Sequence, residues 1–399
     1  MTTFKNEIIV SNSPTREQIE HIYDILGDVF SVGRAFFQER MDFDSSYDAN
    51  TTWFATVDGT VASIVQIFPL HIRVGKSSLK IGAMGSVGTN PNFRGMGLAH
   101  QILNAQTDWM KNEDYDLSML LASIHPFYEK VGWKLITEKA YSISRPTISP
   151  SNDRLEIIPF EPAYLDDLRA IYEQFNNNRT YTVIRDKSYW QDLIKWPLWK
   201  NNDCLLVRKD NRIVAYGIME KSDKDSIFIH EFAYLKDAEE DAVDLFLALC
   251  QRRPHAEQIF SMLSEDHRIT SYFKEHAATE HKIDIAMWKK INFTSTFNKL
   301  KPELEARLQR NEHTTSQELH LDIYSGDEHI YLDYKHEQLT VSQASLPDIT
   351  YTPLVVDELQ LIKYIIWGYD EATDGSEYSS ILQALFPQQN ATFYFSDRF

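Results

Sequence analysis

MGSVGTNPNFRGMGLAHQILNAQTDWM, residues 84–110, decides how this 399-residue chain is read. Gly85, Ser86 and Gly88 leave an extended backbone open to a partner, and Pro91-Asn92 signals a turn. Arg94, Gly95 and Gly97 follow where a helix should begin. Leu98, Ile102, Ala105 and Trp109 then recur at helical spacing, one face for a core. Glycines at a helix start let backbone N–H groups approach an anion closely, and those unpaired N–H groups carry partial positive charge. Arg94 adds a full charge. Strand, glycine turn and helix together read as a phosphate cradle. Two nucleotide signatures are rejected: residues 94–99, RGMGLA, lack G-x-G-x-x-G, and no Gly-Lys-Ser/Thr closes the turn.

The rest of the chain sets the bounds. Single cores rarely exceed about 250–300 residues, so two or three domains are expected. Apolar content of 43% and charged content of 25% suit a soluble globular protein. No run approaches the ~18 apolar residues of a membrane span, and MTTFKNEIIVSNS shows no signal peptide. Cys204 and Cys250 are the only cysteines. They supply neither a disulfide framework nor a metal site, which fits a reducing cytoplasm and no metal cofactor. A net charge of −18 argues against nucleic acid. It suits a cationic small molecule, or simply solubility.

Upstream of the cradle, Ile8 to about Phe37 reads as helical, with Ser13 as N-cap and an Ile19, Ile22, Ile25, Leu26, Val29 stripe. Thr51–Val57 and Val61–Phe68 form a hairpin about Asp58-Gly59, and His71–Val74 and Leu79–Ile81 continue the sheet around Gly75-Lys76. Downstream, Leu117–Ser123 and Trp133–Ser142 are further strands. Between them lies HPFYEKVGW, residues 125–133, with adjacent aromatics Phe127-Tyr128 and then Gly132-Trp133. On the plainer reading Tyr128 packs, as most tyrosines do. His125 receives no role.

RPTISPSND, residues 145–153, marks a boundary in composition. The element order then repeats: a helix at Leu165–Phe175, strands at Cys204–Val207 and Ile213–Met219 about Asp210-Asn211, a strand at Ile227–Ala233, a helix at Ala242–Arg252. Where the second cradle should stand, Lys236-Asp237-Ala238-Glu239-Glu240 has no glycine and three carboxylates, which repel a pyrophosphate. Trp190, Trp196 and Trp199 line a pocket or, more plainly, pack in a core. A third segment starts near Phe293, with a helix at Pro302–Gln309, two or three strands over Leu319–Ser342, helices at Val355–Trp367 and Tyr378–Leu385, and a last strand at Ala391–Phe395. Its apolar helix is an ordinary core element or the wall of a lipid site.

RGMGLA resembles the acyl-CoA loop of GNAT acetyltransferases, Arg/Gln-x-x-Gly-x-Gly/Ala, with Arg94, Gly97 and Ala99 at its fixed positions. FYEKVGW resembles that family's aromatic-Tyr-x-x-x-Gly-aromatic landmark. A GNAT domain (1–148), a degenerate copy (149–292) and a sterol-carrier-protein-like domain (293–399) resemble the layout of Eis acetyltransferases. The implied fold class is α/β with mixed sheets. The implied reaction is N-acetylation of a cationic amine, aminoglycoside-type, by acetyl-CoA in a ternary complex, without membrane or nucleic-acid partners, in a homo-oligomer that is hexameric in that family. The resemblance implies cofactor contacts from Val87, Gly88, Thr89, Arg94, Gly95, Met96, Gly97, Leu98, Ala99, His100, Ser123 and Ile124. It makes Tyr128 the general acid and the α-carboxylate of Phe399 the general base. Phe30-Ser31-Val32 stand where Eis relatives place an acid, with Asp28 the nearest carboxylate. Protein lysines, peptides or polyamines are alternative acceptors, and a non-catalytic CoA- or lipid-binding protein is the alternative outside enzymes.

Overall fold

A computed structural model describes residues 6–146, 155–311 and 318–399. The boundary expected between 148 and 149 lies outside the described residues. Seventeen strands are described. They are β1 (Ile8–Asn12), β2 (Thr52–Val57), β3 (Thr60–Val74), β4 (Ser77–Thr89), β5 (Leu117–Leu121), β6 (Lys134–Ser144), β7 (Glu156–Pro159), β8 (Thr180–Val183) and β9 (Asp203–Lys209). The rest are β10 (Arg212–Met219), β11 (Ser226–Tyr234), β12 (Gln258–Ser261), β13 (Thr279–Lys290), β14 (Leu319–Ser325), β15 (Glu328–Lys335), β16 (Gln338–Ser342) and β17 (Thr352–Val355). The fold is mixed α/β, as read from the sequence.

One large sheet runs β1-β2-β3-β4-β5-β13-β6-β12-β11-β10-β9-β7, with β8 beside β3. Its middle is an exchange. β13 lies between β5 and β6, and β6 lies between β13 and β12. The strand that follows Tyr128 therefore pairs with the second third of the chain, and the strand that closes the second third pairs back with β5. A separate sheet, β16-β15-β14-β17, belongs to the last third. Helix Phe293–Arg310 joins it to the β3–β4 turn, where Glu303 accepts the Lys76 N–H at 2.8 Å.

Alternation sorts the sheet into two faces. Met84, Leu120 and Met287 pack with the helix that follows RGMGLA. Phe68, Ala83, Met119, Ile136 and Ala286 face the last third of the chain. These are called the cradle face and the tail face below.

Four expectations are corrected. The stretch Ile8–Phe37 is not one helix: Ile8-Ile9-Val10 form β1 along β2, helix α1 covers Arg16–Val29, and helix α2 covers Arg34–Asp42. The β-branched run prefers a pleated edge. Thr15, not Ser13, caps α1 in a reciprocal capping box with Gln18, and Gly33 at φ 79° restarts the chain before α2. Val355 ends β17, so the following helix, Glu358–Ile366, begins after the Asp357 cap. Ala391–Phe395 is not a strand; a single bridge joins Ala391 to Thr180. Trp190, Trp196 and Trp199 are buried in the core of the middle third.

Candidate active site

The site begins as a parting of two strands. β4 and β5 pair in parallel from Ile81–Leu117 to Met84–Leu120 and no further. Beyond that point β5 turns towards β13, and the Ala122 N–H is given to the Ile285 carbonyl at 2.8 Å. β4 meanwhile bulges against β3: Gln66 pairs with Gly85 and Ile64 with Gly88, leaving Ser86 and Val87 opposite Val65. Ser86 takes the left-handed conformation, φ 51°. A bulge re-aims a strand. Here it carries Val87 and Thr89 away from β5 and onto the wall of a cavity of about 680 Å³.

Helix α3 (Leu98–Asn112) supplies the floor. Gly97 stands at its N-cap in the left-handed region and offers no side chain to the first-turn N–H groups, which stay available to an anion. Gly95 is left-handed too, and open space surrounds the position a β-carbon would take at either glycine. Arg94 is exposed, held by one long hydrogen bond from Nε to the Thr89 carbonyl, 3.4 Å. A loop of bare N–H groups, a guanidinium with no ion pair among the described residues and empty space fit a pyrophosphate.

Tyr128 reaches the same cavity from helix α4 (His125–Glu129). Burial alone pushes its phenol up to about 12, so it holds its proton through neutral pH. His100 on α3 fixes the approach: its Nε2 meets the Phe127 carbonyl at 2.9 Å and its ring lies 4.2 Å from that of Phe127. The cavity wall also includes Leu98, Ala99 and Ile124. Gly88, Met96 and Ser123 stand elsewhere. Gly88 faces Leu26 of α1, Met96 leans on the core, and Ser123 points to solvent.

β13 holds α4 at both ends, a contribution the sequence did not disclose. At the start, His125 Nε2 meets the Asp284 carbonyl at 2.8 Å. At the end, Lys289 Nζ donates to the Val131 carbonyl at 2.7 Å and lies over the Trp133 ring at 4.4 Å. Burial lowers the Lys289 ammonium to about 8. His125 thus has a positioning contact after all.

Phe399 lies on the tail face, against the same β4. Its carboxyl carbon is 3.2 Å from where a β-carbon on Gly85 would stand, and Phe68 Cε2 is 2.9 Å from that point, so a side chain there would crowd both. Its ring contacts Phe68 at 6.0 Å between centroids. The approach to that position is clamped two residues earlier. Asp397 receives Arg185 Nε at 2.9 Å and Nη2 at 2.7 Å, and Tyr189 Oη at 2.9 Å. The same guanidinium holds Glu231 at 2.8 and 2.7 Å. All three charged side chains are fully buried. Burial raises the Asp397 carboxyl and Arg185 opposes it. Arg185, Glu231 and Asp397 were not singled out from the sequence.

Residues 12–136 match the acetyltransferase (GNAT) domain family. No curated protein matches the chain by sequence. Among solved structures, a probable N-acyltransferase from Enterococcus faecalis, described as a conserved protein of unknown function, superposes with TM-score 0.73 at 15% identity, covering 98% of each chain. A GCN5-related N-acetyltransferase from Anabaena variabilis gives 0.68 at 16% identity over 97% of this chain and 98% of that one. Eis1 from Mycobacterium abscessus gives 0.62 at 15% identity over 98% and 100%. The likeness to these three is one of fold along the full length. The chain carries a GNAT acetyltransferase domain, and the enzyme class read from RGMGLA and FYEKVGW stands.

Proposed function

We propose that this domain transfers an acetyl group to a primary amine of a small cationic acceptor, aminoglycoside-like in carrying several amines. One observation carries the reading: the Gly97 helix start and Tyr128 wall one cavity on the cradle face, while the Phe399 carboxyl meets the same β4 from the tail face. Acetyl-CoA, when bound, supplies an acetyl group activated as a thioester. The N–H groups at Gly95–Ala99 and the Arg94 guanidinium hold its phosphates, and the free edge at Val87–Thr89 orients its arm. The Phe399 carboxylate takes the proton of the acceptor ammonium. Tyr128 Oη, kept protonated by burial, gives its proton to the departing sulfur.

Direct transfer is supported by the state of the thiols. Burial pushes Cys250 up to about 12 and Cys204 well above its ordinary value, and neither lines the cavity. A thiol held protonated is a poor nucleophile. The same reading includes three units (1–148, 149–292 and 293–399), the last of sterol-carrier type, in a cytoplasmic homo-oligomer. Among the described residues no helix is long and apolar enough to cross a membrane. The test is thiol release from acetyl-CoA across aminoglycosides, polyamines and a lysine peptide, with light scattering for the assembly. Several acetyl groups added per aminoglycoside is the expected result. Turnover confined to another amine changes the acceptor, and acetyl-CoA binding without any turnover overturns the enzyme reading.

A further inference from the structure

A second cavity, of about 480 Å³, opens on the tail face between β6, the loop at 262–265, helix Glu358–Ile366 and the segment 389–393. It is separate from the cradle cavity and shares no wall residue with it. Three rings form its apolar side: Tyr181 stacks on Phe393 at 4.9 Å and meets Trp367 at 5.5 Å. Three carboxyls also line it, Glu138 of β6, Glu265 and Asp370. Glu265 holds Tyr141 and Lys274, whereas the Glu138 side chain has no hydrogen bond and no ion pair among the described residues.

That carboxyl is an anomaly. It stands half-buried in the cavity wall without a partner, where an uncompensated carboxylate is costly. Loss of water pushes it up to about 7, and Arg398 opposes that shift. Arg398 spends its guanidinium elsewhere, over the Phe395 ring at 3.3 Å and beside Met262 Sδ at 3.6 Å. The lysines at the mouth do not serve either. Lys139 and Lys363 are exposed, and Lys139 leans to Glu280 at 3.6 Å. The missing element is a cation with an apolar body to lie on the rings.

We propose that this cavity binds an organic primary amine, its ammonium on Glu138 and its apolar body against Tyr181, Trp367 and Phe393. Aromatic faces add attraction for the cation itself. The site stands independently of acetyl transfer. Its consequence for the enzyme runs through the tail: Phe393 is a wall residue, and its ring contacts that of Phe399 at 6.4 Å. An occupied cavity therefore packs the segment that delivers the terminal carboxylate to Gly85.

The experiment is calorimetric titration of the full chain, without acetyl-CoA, with 2-phenylethylamine and its neutral counterpart 2-phenylethanol. The amine is expected to bind at least tenfold more tightly than the alcohol at pH 8, where Glu138 is ionised. Glu138→Gln should erase that difference, and Glu138→Asp should retain part of it. Thermal melts of both variants show whether they are folded. Equal affinity for amine and alcohol overturns the proposal. So does amine binding that Glu138→Gln leaves unchanged, the result for an amine seated only beside Phe399. Because no acetyl group is present, a failure of the acetyltransferase reading leaves this outcome intact.

Discussion

At the scale of single residues, the protons decide the predictions. Tyr128 is held protonated by burial, so Tyr128→Phe should lower kcat by about 10²-fold or more while the KM for acetyl-CoA stays within a few-fold. Thiol release measures both, and an unchanged kcat removes the phenol from the mechanism. His267 governs a different property. It is buried, its Nδ1 accepts the Ile269 N–H at 3.1 Å, and burial, helped by Arg179, pushes it down to about 3. An unfolded histidine binds its proton near 6.5. The unfolded state therefore takes up more protons between those values, and stability present above pH 6.5 is lost as pH falls towards 3. His267→Asn keeps an acceptor for the helix cap without titrating. Its melting temperature should fall less than wild type between pH 6.5 and 4, read by thermal melts across that range.

At the scale of elements, legibility followed locality. The Asp58-Gly59 and Asp210-Asn211 hairpins, the cradle strand and α3 are set by turn residues and by a helical apolar stripe close in sequence, so the sequence alone places them. β13 escaped because only Ala286, Met287 and Trp288 are buried in it, and the charged residues around them mask any alternation. Yet β13 seats Tyr128 through Asp284 and Lys289. The same holds for the tail. Nothing local marks Asp397 as the partner of Arg185, more than two hundred residues away. Arg185→Met should leave two buried carboxylates unpaired, at a cost of about 3–5 kcal/mol. It should also lower kcat more than it raises the KM for acetyl-CoA, because it loosens the tail and spares the cradle. Denaturant melts together with steady-state kinetics would show both, and a variant with normal kcat would detach the clamp from catalysis.

At the scale of the whole molecule, the large sheet has no seam at which the first third can be cut away. β5 and β6 do not pair with each other; β13 fills the place between them. A fragment of residues 1–146 would therefore carry the cradle, Tyr128 and an open slot in its sheet. It is expected to aggregate or to lack fixed tertiary structure, as gel filtration and near-ultraviolet circular dichroism would reveal. A folded, monomeric fragment would mean that β6 can close on β5 unaided. The exchange also imposes a timetable on synthesis. The ribosome delivers β13 about 135 residues after β6, roughly 7–27 s later at about 5–20 residues per second. For that interval the nascent chain exposes two unsatisfied strand edges, each a template for a neighbouring polysome product. Yield in a cell should accordingly depend on translation speed and on chaperones that shield nascent chains, even where the finished protein is stable.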